Sequence, residues 1–254
     1  MNALTISSHD ASAGMLWIKE GWRIFKQAAI PWMGMTALVF MLIIGVSMIP
    51  WIGRFAIELL SPFLVAGYFS ASRAAMAGEP VTFLHLGAGG QSGRDSLLQI
   101  GIVYMIGSTL VFALVDWGTG GDVRDLLRQA QDPAALSPAE LNQLTATAMP
   151  AMLLTTALLA PLLMATWFAP GLAMFDGYSA RHALWWSLWA CWVNWRPIFL
   201  YSMVLGVLGA LALIIPFGLG MLVFMPLTLI STYVGYRMIF TPGEAADAEN
   251  SEAP

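Results

Sequence analysis

Six stretches of the sequence are each long and apolar enough to cross a membrane as a helix. A spanning helix needs about 20 predominantly apolar residues. Runs of this kind lie at about residues 31–49, 55–76, 97–115, 149–175, 198–215 and 219–240. Of the 254 residues, 58% are hydrophobic and only 10% are charged, which leaves too few charges to cover a water-soluble core of this size. The sequence therefore predicts an all-α polytopic membrane protein with six transmembrane helices.

A tryptophan-rich segment separates the fourth predicted span from the fifth. Residues 178–197 contain many indole side chains, which prefer the boundary between hydrocarbon and water because indole is apolar with one N–H donor. Wound as a helix, the segment places small and polar side chains on one narrow seam, formed by Ala183, Ser187, Ala190 or Cys191, and Asn194. We expect a helix at the membrane surface whose seam packs against protein, with Asp176 as a candidate cap.

A second amphipathic segment precedes the first span. Residues 14–29 place Trp17, Ile18, Gly21, Ile24 and Phe25 on one helical face, opposite a charged face. Residues 78–94 precede the third span and contain the apolar sequence FLHL, followed by a glycine-rich linker. The predicted architecture is three membrane hairpins, each preceded by a cytoplasmic amphipathic surface helix.

The first and last hairpins resemble each other in sequence. MIPWIG at 48–53 matches IIPFGL at 214–219, and the eleven positions from Pro62 to Arg73 are repeated from Pro226 to Arg237. This matched spacing favours an internal duplication. The alternative is that proline, glycine and tryptophan recur wherever spans begin and turn.

The basic residues predict an orientation. Cytoplasmic loops are enriched in Lys and Arg, and one side of the six-span arrangement collects Lys19, Arg23, Lys26, Arg73, Arg94, Arg181, Arg196 and Arg237. We therefore expect a membrane protein with both termini in the cytoplasm. The predicted organisation is a flexible tail at 1–13, one membrane domain at 14–240, and an acidic disordered tail at 241–254.

The largest polar excursion is an extracytoplasmic loop predicted at 116–148. It contains a candidate short helix at 123–130. A second helix is predicted to start at Ser137-Pro138-Ala139-Glu140, because the serine can cap the helix, proline suits the first helical position and the glutamate can reach back.

The Trp-rich segment also carries a family resemblance. The sequence FDGYSARHALWWSLWACWVNWRPIFLY resembles a signature of a family of proteobacterial six-span inner-membrane proteins of uncharacterised function, and EGWRIFKQAAIPW and GEPVTFLHL resemble that family's other two cytoplasmic segments. A more distant likeness is to the membrane domain attached to some glycerophosphodiester phosphodiesterases, although the chain has no phosphodiesterase motif. The resemblance implies the six-span topology and no particular activity.

Four arginines at predicted span ends are candidate contacts for lipid phosphate: Arg73, Arg181, Arg196 and Arg237. The planar guanidinium group can bind two phosphate oxygens at once, although ordinary anchoring at the cytoplasmic interface explains such residues equally. Trp185, Trp189, Trp192 and Asn194 complete the predicted lipid- or partner-contact surface.

Arg54 and Glu58 are spaced to form an ion pair near the start of the second span. An ionisable residue inside a span is a candidate for ion or proton coupling, but the pair lies close to the outer turn, which favours a local structural role. His85, His182 and Cys191 do not have the spacing of a metal site, so neither a metal nor a cofactor is predicted.

Two classes of function remain open. The first is a non-enzymatic membrane protein that organises lipids, another membrane protein or further copies of itself; the chain has no catalytic motif and no basic face for nucleic acid. The second is a small transporter or channel that uses Glu58 and a fourth span interrupted by Pro161 and Pro170. The sparse polar side chains in the spans favour the first class.

Overall fold

The six predicted spans are helices in the computed structural model, which describes residues 5–50, 52–119 and 138–240. Within these ranges the chain forms helices joined by short turns and has no β-strand. In chain order the elements are α1 (Ser12–Gln27), α2 (Ala29–Ser47), α3 (Ile52–Met76), a 3-10 helix (Phe83–Gly87), α4 (Ala88–Gln91), α5 (Arg94–Gly118), α6 (Pro138–Trp167), α7 (Ala169–Phe175), α8 (Ala180–Val193), α9 (Trp195–Ile214), a second 3-10 helix (Pro216–Gly218) and α10 (Met221–Phe240). The predicted helix at 123–130 and the predicted tail at 241–254 lie outside the described residues.

The fourth span lies at Ala148–Phe175, within one residue of its predicted limits. α6 begins at Pro138, as the capping sequence predicts, but residues 138–148 then run straight into the span instead of belonging to a loop. The helix continues through Pro161, so the predicted interruption there is wrong. The break lies at Phe168, and Pro170 occupies the first turn of α7. Proline is tolerated there because the N–H that it lacks would have no intrahelical partner.

Four short elements form a layer at one end of the spans, which we call the belt: α1, residues 83–91, α7 and α8. The faces predicted for α1 are confirmed, since Trp17, Ile18, Gly21, Ile24 and Phe25 are all buried. Residues 83–91, which precede the third span, make a 3-10 helix followed by the four-residue α4 instead of the one amphipathic helix that was predicted.

The belt links the three hairpins into a ring. Residues 83–91 pack on α3, α8 packs on α6, and α1 packs on α9 and α10. The second and third surface segments therefore each pack on the hairpin that comes before them in the chain. The first surface segment, α1, has no hairpin before it and packs on the last hairpin, which closes the ring. The approach of α1 is close, since a Cβ added to Gly21 would lie 2.8 Å from the Ser231 Cβ.

One side of the ring is open. α3 packs along α5, and α10 packs along α2 and α3, but within the described ranges α6 does not pack along α9 or α10. Of the 18 consecutive residues that make up the most apolar part of each span, 6% are buried in the fourth span and 56% are buried in α10. The second and third hairpins meet at the belt end, where the Trp167 and Tyr201 rings are 6.3 Å apart. A lateral opening therefore remains between α6 and α9.

Candidate functional site

The seam predicted on the Trp-rich helix is buried. Ala183, Ser187, Ala190 and Cys191 of α8 are shielded from solvent, as is Asn194 just after it. Trp185, Trp189 and Trp192, here called the Trp row, are 59%, 46% and 67% exposed. α8 therefore packs on protein with its seam and leaves the Trp row uncovered.

Ser187 connects α8 to the broken fourth span. Its Oγ donates to the Met164 carbonyl (2.7 Å) and accepts from the Phe168 N–H (2.9 Å). In an unbroken α-helix this N–H would bond to the Met164 carbonyl directly. The Ser187 hydroxyl thus stands in for one helical hydrogen bond, and such insertion of a side chain is a known cause of helix breaks.

Asn194 holds the N-terminal segment against the belt. Its Oδ1 accepts from the His9 N–H (2.9 Å) and its Nδ2 donates to the Ser7 carbonyl (3.0 Å). The same segment reaches α10, where the Ser7 N–H donates to the Ile239 carbonyl and His9 Nε2 lies 2.9 Å from the Met238 carbonyl. Residues 7–9 thus bond to Asn194 and to α10, and α1 starts at Ser12.

Asp176 does not cap α8. The N-cap position belongs to Ser179, and no side chain bonds the free N–H groups of that first turn. Asp176 instead accepts a hydrogen bond from the Tyr236 hydroxyl of α10 (2.5 Å). This contact links α7 to the last span.

Arg73 and Arg237 lie in the last turns of α3 and α10, two spans that pack together. The Arg73 guanidinium carbon lies 4.4 Å from the centroid of the Phe175 ring, and that ring is 5.9 Å from the ring of Tyr233. Tyr233 is buried one helical turn before Arg237, and both arginines are exposed. An exposed guanidinium group can bind two oxygens of a phosphate group.

Arg181 and Arg196 lie apart from each other. Arg181 is in the first turn of α8 and Arg196 is in the first turn of α9. Since a helix rises about 1.5 Å per residue, roughly 20 Å of α8 separates them. The Arg196 guanidinium carbon is 5.5 Å from the Trp195 ring centroid. The four predicted arginines therefore do not form one site: Arg73 and Arg237 end two neighbouring spans, and Arg181 and Arg196 begin α8 and α9.

A groove of about 440 Å³ runs between α8 and the fourth span. It is lined by the Trp row and Leu188 on one side and by Ala160, Pro161 and Met164 on the other. This volume lies within the range of ligand-binding pockets. No polar side chain lines the groove.

Arg54 and Glu58 make the ion pair that their spacing predicts. Arg54 Nε lies 3.1 Å from Glu58 Oε1, and the Arg54 guanidinium carbon is 5.3 Å from the Phe112 ring centroid of α5. The other carboxylate oxygen of Glu58 accepts from Ser108 Oγ (3.0 Å), also on α5. The carboxylate thus joins two neighbouring hairpins.

Two buried hydroxyl bridges were not foreseen from the sequence. Thr36 Oγ1 lies 2.8 Å from the Tyr68 hydroxyl in the first hairpin, and the Tyr201 hydroxyl lies 2.8 Å from Ser231 Oγ in the last. Each tyrosine is covered by a buried indole, Trp32 for Tyr68 and Trp17 for Tyr201. Each bridge joins a tyrosine of one span to a serine or threonine of the other span of the same hairpin. The sequence alone does not identify such a pair, because the two residues become neighbours only when the two spans pack together.

The remaining candidate ligands do not assemble. Among the described residues no group of three metal-ligating side chains occurs. His85 Nδ1 is bonded locally to Thr82, and His182 Nδ1 lies 2.9 Å from Ser179 Oγ. Burial raises the pKa of the Cys191 thiol, so this group stays protonated and unreactive at neutral pH.

The fold and its surfaces define an all-helical, six-span integral membrane protein. Over 221 residues the chain is 28% identical to a protein of Burkholderia thailandensis that is named a probable inner membrane protein; the match covers 84% of this chain and 78% of the relative. No protein-family model matches the sequence, and no solved structure matches it. Together the relative and the six apolar helices support a multi-pass protein of the inner membrane. The distant likeness to the membrane domain of glycerophosphodiester phosphodiesterases gains no support from these comparisons.

Proposed function

We propose that this protein is a non-enzymatic organiser of membrane lipid, which binds the phosphate of anionic headgroups at its belt end. The observation that carries the proposal is that α3 and α10 pack together and each has an exposed arginine in its last turn, Arg73 in α3 and Arg237 in α10. The arginines end spans of different hairpins, so a phosphate bound between them bridges the first and third hairpins. Anionic lipid is attracted to such interfacial cations.

The distribution of polar groups supports this role over transport. Thr155, Thr156 and Thr166 of the fourth span each donate to a carbonyl of their own helix. Glu58 is occupied by Arg54 and Ser108. A path for a polar solute requires groups that converge on a cavity, whereas both the groove beneath α8 and the cavity between α1 and the last hairpin are lined by apolar residues, apart from the indole groups.

The proposal includes an orientation. The exposed basic residues Lys19, Arg73, Arg94 and Arg237 lie at the belt end, and Lys and Arg are enriched on the cytoplasmic side of membrane proteins. The belt and both termini therefore face the cytoplasm, and bound lipids belong to the inner leaflet. Another membrane protein or a second copy of this chain is a further partner under the same proposal.

The test compares lipids that co-purify with the protein in native nanodiscs. Wild type is expected to be enriched in anionic phospholipid relative to the bulk membrane. The double variant Arg73→Gln/Arg237→Gln removes both cations and should lower this enrichment about fivefold or more, since each interfacial arginine contributes about 1 kcal/mol.

The matched control is Lys19→Gln/Arg94→Gln, which removes the same charge from exposed positions elsewhere at the belt end. This variant should keep most of the enrichment. Equal enrichment in wild type and in the Arg73/Arg237 variant would refute the proposed phosphate site.

A further inference from the structure

The groove beneath α8 differs from the Arg73–Arg237 pair in place and in chemistry. It lies between α8 and the fourth span, and the tryptophans in its wall are partly exposed, so the groove is open at the surface of the protein. Its walls are apolar: the indole faces of the Trp row on one side and the fourth span around Pro161 on the other. Only a hydrocarbon ligand can fill such a space without leaving a buried polar group unpaired.

An arginine flanks the Trp row on each side in the sequence. Arg181 is about one helical turn before Trp185 on α8, and Arg196 lies past the break at Asn194, in the first turn of α9. Both guanidinium groups are exposed. A ligand that fits this pattern has an apolar tail and an anionic head.

The indole N–H groups add a third element. Among the described residues, the Trp row side chains make no hydrogen bond to protein. Tryptophan at the membrane interface sits at the level where headgroup and acyl chain meet, which is where ester carbonyls can accept from an indole N–H.

From these features we propose that the groove is a binding site for one anionic phospholipid. An acyl chain lies between the Trp row and the fourth span, and the phosphate lies against Arg196 or Arg181. The inference extends the lipid-organising role but names a second site, which does not depend on Arg73 or Arg237.

The experiment uses the full-length protein reconstituted with a phosphatidylglycerol that carries a photoreactive diazirine in the middle of one acyl chain. After irradiation, mass spectrometry maps the adducts residue by residue. Adducts are expected to concentrate on residues 160–164 and 185–192, above the level on other lipid-facing positions. Adducts spread evenly over the lipid-facing spans would overturn the proposal.

Filling the groove provides the decisive variant. Ala160→Phe places a ring in the space proposed for the acyl chain and should reduce these adducts about fivefold or more, which corresponds to a loss of about 1 kcal/mol in binding free energy. Ala210→Phe adds the same volume at an exposed position of α9 that is outside the lining and should leave the adducts unchanged. Unchanged labelling in Ala160→Phe would refute the site.

The charge requirement is tested separately. Arg181→Gln/Arg196→Gln should reduce labelling by phosphatidylglycerol about fivefold or more while labelling by the matching phosphatidylcholine stays the same. Equal losses with both lipids would overturn the assignment of an anionic headgroup. Because the adducts are read at the groove itself, this result is independent of the lipid enrichment measured with the Arg73→Gln/Arg237→Gln variant.

Discussion

At the scale of single residues, the Ser187 hydroxyl bridges the break in the fourth span. It supplies both a donor and an acceptor across the break between Met164 and Phe168. Ser187→Ala leaves a buried carbonyl and a buried N–H without this partner, which costs about 1–3 kcal/mol. We expect the melting temperature of the purified protein to fall by several degrees, at about 2–4 °C per kcal/mol.

The control for this change is Ser202→Ala, which alters an exposed serine of α9. Its melting temperature should match that of wild type. If the two variants melt alike, the Ser187 bridge does not stabilise the fold.

Cys191 provides a second test at this scale. The thiol is buried on the α8 seam, and burial raises its pKa. The reactive species is the thiolate, so iodoacetamide at pH 8 should leave the folded protein unmodified and should modify it fully after denaturation. Because the folded pKa lies above the unfolded value, the folded state loses stability only as pH rises beyond the ordinary thiol pKa of about 8.5. Rapid labelling of the native protein, read as a mass increase, would show that the seam is open.

At the scale of elements, the packing of α1 on α10 depends on the absence of a side chain at Gly21. Alanine favours a helix over glycine by up to about 1 kcal/mol, so propensity alone predicts that Gly21→Ala stabilises. A Cβ there would crowd Ser231, and we expect net destabilisation with a lower melting temperature.

Gly206 is the matched site for this comparison. It lies in the interior of α9, and a Cβ there would meet nothing within 4 Å. Gly206→Ala should therefore be neutral or stabilising. A stabilising effect of both substitutions would mean that α1 is not closely packed on the last hairpin.

Some of the elements could be predicted from the sequence alone and others could not. Periodicity placed the buried faces of α1 and α8 correctly, because an amphipathic helix records in its own residues which side is covered. It failed at residues 83–91, which do not form one amphipathic helix, and at Pro161, through which the helix continues. The predicted interruption at Pro170 lies within two residues of the break at Phe168. That break depends on Ser187, which lies 19 positions along the chain. Asn194 was placed on the seam, but its partner Ser7 is 187 positions away, and no local pattern identifies a contact of that range.

At the scale of the whole molecule, the hairpins form a ring with one open side, and the belt lies at one end of it. Orientation is tested with reporter fusions. Alkaline phosphatase inserted within residues 120–137 should be active, because this segment is expected outside the cytoplasm, and the same enzyme at the C-terminus should be inactive. Green fluorescent protein at the C-terminus should fluoresce. The opposite pattern would invert the orientation and place the proposed lipid sites in the outer leaflet.

The closure of the ring by α1 also has a consequence for biogenesis. The ribosome makes α1 before every span, yet its buried face packs on α9 and α10, which are made last. Until the final hairpin has been inserted, Trp17 therefore lacks its partners Tyr201 of α9 and Gly235 of α10. A chain arrested before that hairpin exposes this indole, and exposed apolar surface is what chaperones bind in incompletely folded proteins.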